Sequence, residues 1–250
     1  MCGRFALTAM PEELREVFGV MEAEDFPPRY NIAPTQPILI VRARQNLPPG
    51  SNRPMRELML ARWGLIPGWA KDPSKLPLLF NARSETAHEK AAFRAAMRHR
   101  RILVPASGFY EWRRSDKGRS GARPFWIRPR QGGIVAFAGL LETYLGADGS
   151  EIDTAAVLTT RANATLAPIH DRMPVVIAPD AFSRWLDCKD SEPRDVADLL
   201  GPADDDFFER VPVSQAVNKV ANDNPDLQAR CDDDEAAAEP SPPGEQLSLL

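Results

Sequence analysis

Cys2 stands directly behind Met1, and its side chain is small enough for the usual removal of an initiator methionine. That processing would leave one residue carrying both an α-amine and a β-thiol. The reference pKa of an α-amine is about 7.7 to 8.0, against about 10.4 for lysine, so its neutral, nucleophilic fraction near neutral pH is roughly a few hundred times larger. Attack on an aldehyde gives a Schiff base. The thiol, with a free pKa of about 8.5, can then close on the same carbon to form a five-membered thiazolidine. From its position alone, Cys2 reads equally well as a small buried hydrophobe near the start of a strand.

Three downstream segments place polar groups among Gly, Pro and aromatic residues and read as shaped loops. Phe80-Asn81-Ala82-Arg83-Ser84-Glu85 precedes a predicted helix, where backbone N–H groups favour anions, and Asn81 is also a candidate cap. In Gly108-Phe109-Tyr110-Glu111-Trp112 a carboxylate sits between large aromatics. A raised pKa there suits proton donation, although a salt-bridged strand acid fits the same residue. Pro168-Ile169-His170-Asp171-Arg172-Met173-Pro174 gives His170 an acid, a base and two prolines as neighbours. It can shuttle protons near neutral pH, whereas His88 and His99, in and near the predicted helix, read as structural.

These groups need elements to hold them. Residues 11–20 read as a short helix with Thr8 as its candidate cap and Gly19 as its end. The segment from Ser84 to Arg101 is the clearest helical pattern, with Ala87, Ala91, Ala92, Phe93, Ala96 and Met97 on one side and arginines on the other. Strands are expected at 38–41, 58–65, 102–105, 125–128, 134–141, 155–160 and 175–177, with a further helix at 179–186. Regular βαβ alternation is missing. The expected fold class is therefore α+β, a mostly antiparallel, barrel-like β-sheet with inserted helices.

At 250 residues with 43% hydrophobic side chains the chain can bury one sizeable core. Three cysteines (Cys2, Cys188, Cys231) form no CxxC pair and have no zinc-ligand spacing with the histidines. Neither a metal nor another cofactor is expected, and free thiols suit a reducing cytoplasm. There is no apolar run of about 18 residues and no secretory h-region, so the reading is soluble and cytoplasmic. The net charge of −4 conceals a basic body, rich in Arg, and acidic C-terminal stretches at 187–209 and 222–250. A basic body fits phosphate contacts. We expect residues 1–221 to form one domain and 222–250 an acidic, Pro/Ala-rich disordered tail.

Taken together, Met1-Cys2-Gly3-Arg4-Phe5, Tyr30-Asn31-Ile32-Ala33-Pro34-Thr35, Trp63-Gly64-Leu65-Ile66-Pro67-Gly68-Trp69, Asn81-Ala82-Arg83-Ser84-Glu85-Thr86, Gly108-Phe109-Tyr110-Glu111-Trp112 and Ile169-His170-Asp171-Arg172-Met173-Pro174 resemble the SRAP (SOS response-associated peptidase) family. The match in order and approximate spacing runs from residue 2 to about residue 225, through Val213-Ser214 and Asn224-Pro225. The resemblance implies a protein that binds single-stranded DNA and crosslinks to abasic sites, and a monomer is the default expectation for a small DNA-binding domain. By that resemblance Cys2 is the nucleophile, Asn81 positions amine and sugar, Glu111 is the acid/base, and His170 serves ring opening and adduct reversal. It further implies a DNA-binding surface of Gly3, Arg4, Trp69, Arg83, Trp112 and Arg172. Where some relatives have an Arg this chain has Ala91, and the neighbouring Lys90 substitutes for it. Two alternatives accompany this reading: a thiol (auto)peptidase using Cys2, His170 and Asn81, and a non-covalent single-strand binding module.

The last residues add a partner. Gln246, Leu247, Leu249 and Leu250 end a polar segment and resemble the short peptide by which bacterial replication and repair proteins dock on the sliding clamp, with Leu where Phe is more usual at the last position. Such a tether would raise the domain's effective concentration at replication forks on the nucleoid. A peptide of the last residues is expected to capture the clamp in a pull-down and to lose it when Gln246 and Leu249 are changed to Ala; no capture would dismiss the idea.

Overall fold

Runs of Ile, Leu and Val near residues 38–41, 102–105, 135–141 and 155–160 lack the polar alternation of a half-wet strand, which predicts strands covered on both faces. In the computed structural model, which describes residues 2–21, 26–44, 47, 48, 50–115 and 118–231, they are. The elements in chain order are β1 (Phe5–Leu7), α1 (Pro11–Phe18), β2 (Arg29–Ile32), β3 (Pro37–Ala43), β4 (Arg56–Trp63), β5 (Asn81–Arg83), α2 (Arg94–His99), β6 (Arg101–Ala106), β7 (Gly108–Ser115), β8 (Gly118–Pro129), β9 (Val135–Leu145), β10 (Glu151–Arg161), β11 (Arg172–Pro174), β12 (Val176–Ile177), α3 (Phe182–Leu186) and β13 (Phe208–Pro212). Among the described residues, no helix is long and apolar enough to cross a membrane.

Strands β10, β4, β3, β6 and β9 close into a ring, because β10 pairs with β4 at one edge and with β9 at the other. The expected α+β fold with a mostly antiparallel, barrel-like sheet is what the chain adopts; among the described residues the parallel pairings are those of β10 with β4 and with β5. A second, antiparallel sheet in the order β13-β8-β7-β1-β2 packs on the barrel. Aromatic edges join the two: Phe5 meets Trp63 with centroids 5.0 Å apart, and Phe109 meets Phe137 at 5.9 Å. The other face of this sheet has its own small core of Ala6, Tyr110, Trp126, Val211, Val213, Val217 and Leu227.

That second core corrects the expected domain boundary. Residues 222–231 fold onto the body: Leu227 is buried, Asp223 pairs with Arg29, and Val213 bridges to Arg230. The tail expected from residue 222 thus begins no earlier than 232, and the rest of it, with the clamp-like peptide, lies outside the described residues. Apolar cover for Tyr110 and Trp126 offsets the ordering cost that the acidic composition suggested could not be met.

Two helix expectations also change. Of the helix expected over 84–101 only α2 is regular, and residues 84–93 run through successive tight turns. The Ala91 carbonyl accepts from Trp69 Nε1 at 3.3 Å, and the turns mix i−3 with i−4 hydrogen bonds. Thr8 does not cap α1. Met10 occupies that position without a side-chain bond, while Thr8 bonds to Ser107. The helix ends as expected at Gly19, in the left-handed conformation that glycine adopts freely.

The three loops expected around the chemistry are instead strands β5, β7 and β11 with their flanks. Gly108 shows why β7 starts as it does. A Cβ there would press on the Ile127 carbonyl oxygen and come within 2.7 Å of Trp126 Cη2, neither of which yields easily. Gly108→Ala is expected to lower stability by about 1–3 kcal/mol in urea unfolding, and Leu227→Ala by about 2–5 kcal/mol; no change for Leu227→Ala would mean that residues 222–231 do not complete the second core.

Candidate active site around Cys2

β1 is tied to β7 by the pairs Phe5↔Phe109 and Ala6↔Gly108, and the ladder continues with Tyr110 N–H donating to the Arg4 carbonyl at 2.9 Å. Antiparallel register therefore sets Glu111 beside the residues that precede β1. Alternation along β7 does the rest. Phe109 faces the main core while Tyr110 and Trp126 share the second, which puts Glu111 on the barrel side and Trp112 on the opposite face.

Cys2 is fully buried, and its Sγ lies 3.8 Å from the Arg4 carbonyl. From the other side, Asn81 Nδ2 on β5 donates to the Cys2 carbonyl at 2.7 Å. Asn81 Oδ1 is buried too and has no hydrogen-bond partner among the described residues. A buried amide oxygen left in this way is an acceptor ready for a donor.

Upper β10 places the third group. Its residues Val157–Thr159 pair with β5 and its residues Thr159–Arg161 with β11, so Asn81 and the approach to His170 flank one strand. His170 Nδ1 accepts the Arg172 N–H at 3.0 Å, which implies that the neutral ring carries its proton on Nε2. Asp171 Oδ1 lies 2.8 Å from the same Nδ1.

The charges of these groups act on one another. Burial pushes the Glu111 carboxyl above the usual carboxylate range, and nearby positive charges, His170 among them, draw it back in part. Burial, and then the Glu111 charge, push the Cys2 thiol far up. The thiol is thus held as S–H rather than as the thiolate that a Cys–His peptidase dyad uses. Cys2, Asn81, Glu111 and His170, spread over most of the chain, form one cluster.

The expected DNA-contact residues divide. Arg83 and Lys90 are exposed, and Trp69 is 60% exposed. Gly3 is half-buried beside the site. Arg4 is half-buried and clamps the chain start, donating to Asn31 Oδ1 and to the Val217 carbonyl, each at 2.7 Å, with its guanidinium 5.8 Å from the Trp112 ring. Trp112 Nε1 bonds to Asn218. Arg172 is mostly buried against Glu85. Asn31 was not singled out from the sequence: fully buried, it donates to the Val217, Lys219 and Asn222 carbonyls and anchors Arg4. Its place inside a Pro-containing polar motif was the available signal.

The raised Glu111 pKa has a stability consequence. The folded state holds this proton more tightly than the unfolded chain, so its contribution is fully present below the unfolded pKa of about 4.3 and is lost as pH rises through the folded value. Glu111→Gln is expected to remove that component of the decline in stability with rising pH, so that the variant gains on the wild type above about pH 4.3; parallel urea-derived stability curves would show that folding leaves the Glu111 pKa unshifted.

The family model for SOS response associated peptidase (SRAP) matches residues 1–220. The chain is 37% identical over 230 residues to abasic site processing protein YoqW of Bacillus subtilis (strain 168), covering 91% of this chain and 98% of that protein. It is also 37% identical over 230 residues to abasic site processing protein YoaM of the same strain, covering 91% and 97%. A crystal structure of a protein from Bacteroides thetaiotaomicron shares the fold, with a TM-score of 0.80 at 22% identity over 92% of this chain and 100% of that one. With a family match over most of its length and the family's motifs gathered around Cys2, the chain belongs to the SRAP family.

Proposed function

We propose that this protein reacts covalently with abasic sites in single-stranded DNA, through the α-amine and thiol of Cys2 after Met1 is removed, and so shields the lesion during replication. The observation that carries this reading is the setting of Cys2: its carbonyl held by Asn81, its thiol kept protonated, and a buried carboxyl of raised pKa beside it. Relatives at 37% identity are named abasic site processing proteins.

An abasic sugar exists largely as a cyclic hemiacetal, and His170 would relay the proton that opens it to the aldehyde. The neutral amine adds to the aldehyde carbon to give a carbinolamine. Protonated Glu111 delivers a proton to the departing hydroxyl, water leaves, and the iminium forms. The Cys2 sulfur then adds to the iminium carbon, its S–H proton is lost to Glu111 carboxylate, and the nitrogen lone pair is restored. Aldehyde, amine and thiol give thiazolidine and one water, with Glu111 returned to its starting state. Asn81 Oδ1 is available to accept an N–H from the amine or a hydroxyl of the sugar.

Arg83 and Lys90 are the exposed cations suited to phosphates, with Arg4, Arg172 and Gly3 closer in, and Trp69 and Trp112 offer aromatic surface for bases. The buried, protonated thiol disfavours a general thiol peptidase, and self-removal of Met1 is the peptidase chemistry this reading retains.

Cys2→Ser keeps the amine and loses the thiol. Its adduct with an abasic single strand is expected to require borohydride trapping, whereas the wild-type adduct persists untreated; a form retaining Met1 should give neither. An adduct of equal persistence from Cys2→Ser would remove the thiazolidine step, and one from the Met1 form would remove the amine.

A further inference from the structure

Glu85 has no part in the reaction above, yet one ion pair runs from it across the site. Arg172 at the start of β11 lies bidentate on Glu85, Nη1 to Oε1 at 2.6 Å and Nη2 to Oε2 at 2.8 Å. Its Nη2 also donates to the Thr159 carbonyl on β10, which accepts the Ser84 N–H at 2.8 Å. The pair thus clasps the β5 side of β10 to the β11 side. The Arg172 side chain is only 12% exposed, and a bidentate fork on a guanidinium so covered fixes orientation as well as charge.

The backbone of Arg172 meets His170. Two groups compete for His170 Nδ1: the Arg172 N–H at 3.0 Å, which needs the nitrogen's lone pair, and the Asp171 carboxylate at 2.8 Å, which favours a proton there. Which one prevails depends on how firmly Arg172 is held, and Glu85 is its only carboxylate partner among the described residues. The His170 charge also acts on Glu111.

We propose that Glu85 is a positioning residue for His170: by anchoring Arg172 it keeps the Arg172 amide on Nδ1 and so keeps the proton of the neutral ring on Nε2. The inference rests on the reading of His170 as the proton shuttle. Tautomer control through the partner of the second ring nitrogen is how a catalytic histidine is aimed, and loss of aim costs rate rather than binding. A different role, in which Glu85 screens a phosphate-binding arginine, predicts the reverse pattern.

The test uses the full chain as wild type, Glu85→Gln and Glu85→Asp. Imidazole nitrogen shifts, assigned with His170→Ala, report the tautomer without DNA. Single-turnover crosslinking at saturating abasic single strand, followed against pH, reports rate, and affinity for the same strand with an intact base reports binding. We expect Glu85→Gln to move His170 toward the Nδ1–H tautomer, slow crosslinking roughly ten- to a hundredfold with an altered pH profile, and leave affinity for the intact strand unweakened. Glu85→Asp should fall between, and it serves alone if Glu85→Gln does not fold. An unchanged tautomer with an unchanged rate would overturn the proposal, as would tighter DNA binding at full rate. If the wild type forms no adduct, the proposed function fails, and the nitrogen shifts still decide whether Glu85 sets the His170 tautomer.

Discussion

A carboxyl and a thiol buried side by side cannot both ionise cheaply, and the site depends on that constraint. Glu111 and Cys2 are both buried; burial raises the cost of charge on each, and the Glu111 charge raises it further on Cys2. Both are therefore biased toward their protonated forms, which is unfavourable for a thiolate nucleophile and favourable for an acid that must give up a proton on demand. An amine on the same residue as the thiol escapes the constraint, because it attacks in its neutral form. The preference for amine-first chemistry thus follows from burial.

Strand β10 turns that constraint into a site. Its first half closes the barrel between β4 and β9, and its second half leaves the barrel to run between β5 and β11. A rigid closed ring thereby extends one arm on which Asn81 and His170 are mounted from opposite edges. The second sheet brings β1 and β7 to the same place, locked by Phe5 and Phe109 against Trp63 and Phe137. Arg4 and Asn31 tie the chain start to residues 217–222, which explains why a segment so poor in apolar residues still folds onto the body.

Much of this was legible in the sequence because continuous apolar runs mark covered strands. Those runs located the barrel strands, and the polar residues embedded among Gly, Pro and aromatics located the three groups around Cys2: Asn81, Glu111 and His170. Three short strands were not legible: β1, β2 and β5 owe their form to partners far away in the chain, and the segment of β7 around Glu111 looked like a loop because its aromatics face two different cores. The helix over 84–93 failed for a related reason, since Trp69 takes a carbonyl that helical periodicity assigns to the backbone. Arg172 was legible as a cation near His170, but its commitment to Glu85 depends on strand pairing across β10, which no local pattern reveals.

The central claim is that Cys2, freed of Met1, forms a covalent bond to an abasic strand. Intact mass of the purified protein, before and after incubation with an abasic single-stranded oligonucleotide and beside a matched intact strand, tests it most directly. The account predicts a chain lacking Met1 that gains the mass of the oligonucleotide less one water, with the abasic strand only. A folded, Met1-free protein that gains no mass would contradict it.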